Sequence, residues 1–237
     1  MSFDRDALEF LAESGETEVL EINGQQYATR QIYKVAEPTP APLTVRSLSG
    51  LVDYLKSEFD AQAPLLVHVV SPTQVNVTTS YNNDFARKRI IEAEALLPDY
   101  RYGAYYETED FIIKLQSGFT KAGDRASLLK VVGNIKEENV RQTGDDGVSQ
   151  SVTAKVGVAT VEEVKVPNPV TLAPYRTFVE VEQPSSPFVF RMKTGPSAAL
   201  FEADGGAWRI AAIGAVASYL SEELSELIET EKIVVIA

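Results

Sequence analysis

Residues 63–79 read APLLVHVVSPTQVNVTT. Ser71-Pro72 divides the stretch into two strand-like runs, and the second alternates through Val75 and Val77 with polar residues between them. Such alternation marks a strand with one buried face. A turn joins the two runs, and most other strand-like runs also follow one another through turns rather than in strict βαβ order. The class predicted is therefore α+β, a largely antiparallel sheet packed with about three main helices.

Upstream, SLSGLVDYLKSEFD (47–60) places Leu48, Leu51, Val52, Leu55 and Phe59 at helical spacing, with Ser47 as the cap. Downstream, DFARKRIIEAEALL (84–97) fits a helix or a strand. A second helix is predicted from about Thr108, with Phe111, Ile112 and Leu115 on one stripe and Gly118 closing it. From 127 to 194 the pattern is β, including LLKVVGNI (128–135), SVTAKVGV (151–158) and FVEVEQPSSPFVFRMK (178–193). SAALFEA (197–203) is a further strand. A long helix from Gly206 to about Glu226 turns Ile210, Ile213, Val216, Leu220 and Leu224 inward, and KIVVIA closes the chain as a strand.

The first forty residues read differently. Residues 4–13 form a short helix and 17–35 a hairpin about Asn23-Gly24, a pair suited to a type I′ turn. Three prolines in AEPTPAPL (36–43) mark a linker. The expected organisation is an N-terminal helix and hairpin arm at 1–36, a linker at 37–43 and a main α+β domain at 44–237. So small an arm buries its apolar face on the body or on another subunit.

Composition narrows the function. The 237 residues include no cysteine and one histidine, His68, which removes thiolate nucleophiles, cysteine-ligated zinc and any site needing two imidazoles. A net charge of −12 disfavours a general polyanion-binding surface. No apolar run approaches the ~20 residues that span a bilayer, and the acidic start MSFDRDALEF is unlike a secretory signal, so a cytoplasmic protein is expected.

No residue set commits to catalysis, a cofactor or a metal. In RQTGDDGVSQ (141–150), Asp145 and Asp146 between glycines read as a hairpin tip, without the ligand spacing of a calcium loop. His68 reads as a strand histidine satisfied by one hydrogen bond, and no G-x-S-x-G elbow accompanies it. Asp99, Glu163 and Lys165 match letters of a magnesium-nuclease pattern at too wide a spacing. Asp204 before Gly205-Gly206 reads as the cap of the last helix, with Glu202 beside it, and Trp208 as a core anchor. Arg87, Lys88 and Arg89, interleaved with Tyr81, Phe85 and Tyr100, form the basic cluster that could stack and hold single-stranded nucleic acid. In PYRTFVEVEQP (174–184), Tyr175, Phe178 and Val181 are candidate core, and Glu180 is expected to pair with Arg191 across neighbouring strands as an interface or register device.

Three stretches, LTVRSLSGLVDYLKSEFD, NPVTLAPYRTFVEVEQPSSPFVFRMK and ALFEADGGAWRIAAI, together with ETEDFIIKLQSGF and DDGVSQ, resemble the uncharacterised phage and prophage proteins of the YfdQ type. The most specific part runs from Pro174-Tyr175-Arg176-Thr177-Phe178 through Arg191 to Glu202 and Trp208. The resemblance implies a phage or prophage gene and a cytoplasmic product, and it carries no site residues. The expected function is a non-enzymatic binding or assembly protein that self-associates through its N-terminal arm, with a phage or host protein as a possible partner. The alternatives are an accessory single-stranded nucleic-acid-binding protein, a magnesium-dependent hydrolase and a protein that sequesters a host signalling molecule.

Overall fold

The computed structural model describes residues 15, 18–22, 25–28, 41–60, 64–82, 85–133, 142–145, 150–156, 160–165, 168–193 and 197–237. The chain divides into two units, Met1–Pro40 and Ala41–Ala237, and the division falls within the proline-rich stretch. In the first unit β1 (Val19–Ile22) and β2 (Gln25–Ala28) pair antiparallel, with Ile22 opposite Gln25 as the hairpin predicts. The helix expected at 4–13 lies outside the described residues.

The second unit is α+β and holds two hydrophobic cores. One lies under a five-stranded sheet. Its strands are β3 (Leu43–Val45), β4 (Leu65–Ser71), β5 (Gln74–Thr79), β6 (Arg89–Glu94) and β14 (Ile233–Ile236), in the order β14-β4-β5-β6-β3. The two runs of the 63–79 stretch are β4 and β5, antiparallel, with Val67 opposite Val77 and Val69 opposite Val75. The ambiguous 84–97 segment supplies β6, a strand, with Ile91 and Ala93 turned to the same face. Both outer pairings, β14 with β4 and β3 with β6, are parallel.

Helices α1 (Leu48–Ser57) and α4 (Ala207–Glu223) contribute to this core. Ser47 caps α1 through Oγ, which accepts from Gly50 N at 3.1 Å, and Leu48, Leu51, Val52 and Leu55 are buried. Phe59 lies beyond the helix and is exposed, because α1 ends at a left-handed Glu58 before the apolar stripe reaches it.

The other core fills the space between a four-stranded sheet and two helices. That sheet has the order β11-β12-β13-β7, from β7 (Tyr106–Glu107), β11 (Val170–Leu172), β12 (Ser186–Lys193) and β13 (Ser197–Glu202). Phe188, Phe190 and Met192 alternate inward along β12 to meet Phe111 and Leu115 of α2 (Thr108–Gly118). The strand expected at 128–135 is corrected: residues 125–133 form α3 (Arg125–Gly133). Leu128 and Val132, four apart, are both buried against this core, so a tertiary stripe overrides the β propensity of the two valines. Arg125 ties α3 back to α2 through the carbonyls of Leu115 and Gln116.

A separate three-stranded sheet, β10-β9-β8, comprises β8 (Gln142–Asp145), β9 (Gln150–Val156) and β10 (Thr160–Lys165). Asp145 ends β8 opposite Gln150, and residues 146–149 of the expected hairpin tip lie outside the described residues. The last helix is shorter than its pattern predicts. It ends at Glu223, and α5 (Ser225–Glu229) leads into β14.

The turn between α2 and α3 is seated on β11. Asp124 N donates to Thr171 O at 2.8 Å, and Thr171 N donates to Asp124 Oδ2 at 2.8 Å. Gly123, at φ +61°, leaves no room for a side chain, because a Cβ there would sit 2.2 Å from Thr171 O. Gly123→Ala should therefore lower stability by about 1–3 kcal/mol through left-handed strain and forced separation of this turn from β11. Urea unfolding of the full chain, followed by circular dichroism, reads the shift.

Candidate functional site

The β11–β12 connection is the segment that sequence periodicity describes least well, and it joins the two cores. Residues 178–182, strand-like in pattern, form turns and irregular backbone instead. Phe178 nevertheless inserts into the core of the five-stranded sheet, while Phe188, ten residues on, lies in the other core. The buried Gln183 side chain holds this path. Its Oε1 accepts from Arg176 N at 2.9 Å and Thr177 N at 3.3 Å. Its Nε2 donates to Phe178 O at 2.9 Å and Val181 O at 3.2 Å. Thr177 Oγ1 donates to Pro72 O at 2.5 Å, pinning the connection to the β4–β5 turn.

Glu180 does not serve as the expected partner of Arg191. It lies in a turn rather than a strand, and its Oε1 accepts from Leu48 N at 2.8 Å and Ser49 N at 3.3 Å. A carboxylate there satisfies free N–H groups at the start of α1 and complements the helix dipole. Arg191 lies on β12 opposite Ala199. The local helix signal of α1 named Ser47 alone, and no spacing rule reaches a cap contributed 132 positions away.

Arg176 is the second fastening of the connection. Only 4% exposed, its guanidinium donates to Glu202 Oε1 at 3.2 Å, to Pro184 O at 3.3 Å and to Ser186 Oγ. It also stacks 4.0 Å from the Trp208 ring centre. Trp208 Nε1 donates to the same Glu202 oxygen at 3.0 Å, and the Arg209 guanidinium lies 4.9 Å from the same ring. Trp208 is thus a partly exposed platform for cations rather than the expected core anchor. Burial lowers the pKa of Arg176, and the charges of Tyr102, Glu202 and Asp204 work against that lowering. Tyr102, stacked on Phe188 at 5.4 Å, is pushed up to about 12 mainly by burial. With its terminal nitrogens engaged, Arg176 serves as a structural tie.

Asp204 caps α4 as expected, although from outside the N-cap position itself. Its carboxylate accepts from Gly206 N at 3.0 Å and Trp208 N at 3.2 Å. His68 lies on a strand as expected, exposed on the open face of β4 and in register with Asn76 of β5. Residue parity decides this, since Val67 and Val69 take the buried face. The Asp99 backbone carbonyl accepts from Lys114 Nζ at 2.8 Å, and Glu163 and Lys165 lie in β10 of the separate sheet. Among the described residues, no three histidine or acidic side chains form a metal-binding group.

The basic cluster is divided by the fold. Arg89 pairs with Glu92 at 2.8 Å. Arg87 stacks 4.1 Å from the Tyr81 ring centre and donates to Thr79 O at 3.3 Å. Lys88 sits beside it, anchored by its backbone N–H to Thr79 Oγ1 at 3.1 Å. Tyr81 is 62% and Phe85 84% exposed, and Phe85 has φ +58°. Tyr100 does not join this tip. It is packed in the other core against Tyr102, Tyr106 and Phe119, with ring centres 5.1, 5.3 and 5.1 Å away.

An uncharged surface lies along α4. Residues 210–221, IAAIGAVASYLS, contain no charge. Ala212, Val216 and Leu220 face the core, while Ala207, Ile210, Ala211, Gly214 and Ser218 are exposed. Ile210, expected inward, is 73% exposed because it lies on the side of the helix opposite Ala212. No helix among the described residues is long and apolar enough to cross a membrane. No family model, curated protein or solved structure matches the chain.

Gln183→Ala should cost about 2–4 kcal/mol, because it leaves the buried N–H groups of Arg176 and Thr177 without an acceptor. Denaturant unfolding should show a lower midpoint, and hydrogen exchange should show both amides opening earlier than in the wild type.

Proposed function

We propose that the chain is a phage- or prophage-encoded cytoplasmic protein that works without catalysis, as a self-associating binding or assembly protein. The outer face of α4 carries this reading. A helix at the surface of a chain with net charge −12 would ordinarily present charged residues to water, yet this one presents alanine, isoleucine, glycine and serine. A helix that is apolar on both sides is suited to burial on both sides. Small residues permit close approach of a neighbouring backbone, and a second copy of the chain meets no charge along the stripe. The N-terminal arm is proposed to add to this association. The resemblance to YfdQ-type proteins supports the phage origin. Light scattering of the full chain should give a mass above that of a monomer. Ala211→Lys with Ser218→Lys should weaken association at least tenfold without lowering the unfolding temperature. A strict monomer at high protein concentration would count against self-association.

The β5–β6 tip supports a second reading, an accessory single-stranded nucleic-acid-binding protein. Two exposed aromatic rings beside Arg87 and Lys88 are the elements of a stacking site, and each stacked base contributes ~1–3 kcal/mol. Fluorescence anisotropy with labelled oligonucleotides at low salt should then show binding that weakens as salt rises. Replacing Phe85, Arg87 and Lys88 by alanine should abolish it, whereas Arg89→Ala should have less effect because Arg89 is already paired.

A further inference from the structure

The five-stranded sheet has two edges, and only one is protected. Edge strand β3 is only three residues long and directly follows Pro42, and short edges next to proline are poor templates for pairing. Edge strand β14, IVVI, has no charge, proline or bulge. Lys232 O accepts from Leu65 N at 2.9 Å. By alternation the backbone of Lys232, Val234 and Ile236 faces β4, which leaves the N–H and C=O of Ile233 and Val235 on the outer edge. Among the described residues no strand pairs there. Instead a cleft of about 660 Å³ lies along this edge, lined by Ser221, Ser225, Ile228, Val234 and Val235 together with Glu229 and Glu231.

We infer that a second copy of this chain occupies that edge, its β14 antiparallel to the first about a two-fold axis perpendicular to the sheet. The pairing is self-complementary. Antiparallel neighbours must share a face, so Val235 opposite its own copy places Val234 opposite the second copy's Ile236. The outward backbone groups of Val235 then meet those of its own copy, and those of Ile233 meet the second copy's Ala237. Val234 and Ile236 are 51% and 42% exposed on the outer face, and this register covers both in cross-strand contacts. Charge selects the same place. Two chains of net charge −12 repel, and Ile233–Ile236 carries no charged side chain, the acids that line the cleft being Glu229 and Glu231. The two five-stranded sheets become one ten-stranded sheet.

This inference rests on the self-association proposed above, and the variants separate the two. Sedimentation velocity on the full chain should show a dimer or a multiple of it. Val234→Lys with Ile236→Lys should weaken that association at least tenfold by placing like charges opposite each other. The variant chain is less acidic overall, so general repulsion cannot explain the loss. Amides of Ile233 and Val235 should be protected from hydrogen exchange in the associated protein and lose protection on dilution. Association that survives the double lysine variant, or is abolished only by Ala211→Lys with Ser218→Lys, overturns the β14 pairing and leaves self-association standing. A wild-type monomer at all concentrations overturns both.

Discussion

Two hydrophobic cores share one chain because residues 173–186 pass between them, and that passage needs backbone groups satisfied away from water. Four of those groups end on a single side chain, Gln183, whose amide can both accept and donate. Phe178 then reaches one core and Phe188 the other. The same connection lends Glu180 to the start of α1 and Thr177 to the β4–β5 turn. Loss of the amide would therefore be felt in both layers and not only in the loop.

Arg176 fastens the far end of the connection in a different way. Burying a guanidinium is expensive, and the cost is offset here by Glu202, two oxygen acceptors and the Trp208 ring. Gly205 and Gly206 take left-handed backbone conformations just ahead of α4. A Cβ on Gly206 would come 2.4 Å from the Arg209 guanidinium, so glycine keeps room for the second cation near Trp208. The acids that looked like candidate chemistry thus have structural duties: Glu202 neutralises a buried cation, Asp204 caps α4 and Glu180 caps α1.

Surfaces free of such duties are of two kinds. The β5–β6 tip displays aromatic rings and cations to solvent, whereas the α4 face and the β14 edge display uncharged, largely apolar residues. The first suits a charged, stackable ligand and the second a protein surface of similar character. Both belong to the unit at Ala41–Ala237.

Elements with strong periodicity are legible in the residues alone: α1 with its Ser47 cap, the β4–β5 pair, α2 and the β12 strand all follow patterns of apolar residues a few positions apart. The sequence also limited the chemistry, since thiols are absent and imidazole is confined to His68. Tertiary structure alone decided that residues 125–133 are helical, that Ile210 and His68 face outward, and that Trp208 meets arginine rather than the core. It also decided that Glu180 caps a helix more than a hundred residues away. The division has a physical reason. Local spacing records which side of an element seeks burial, but the identity of a long-range partner depends on how the two layers meet, and no short stretch of chain encodes that distance.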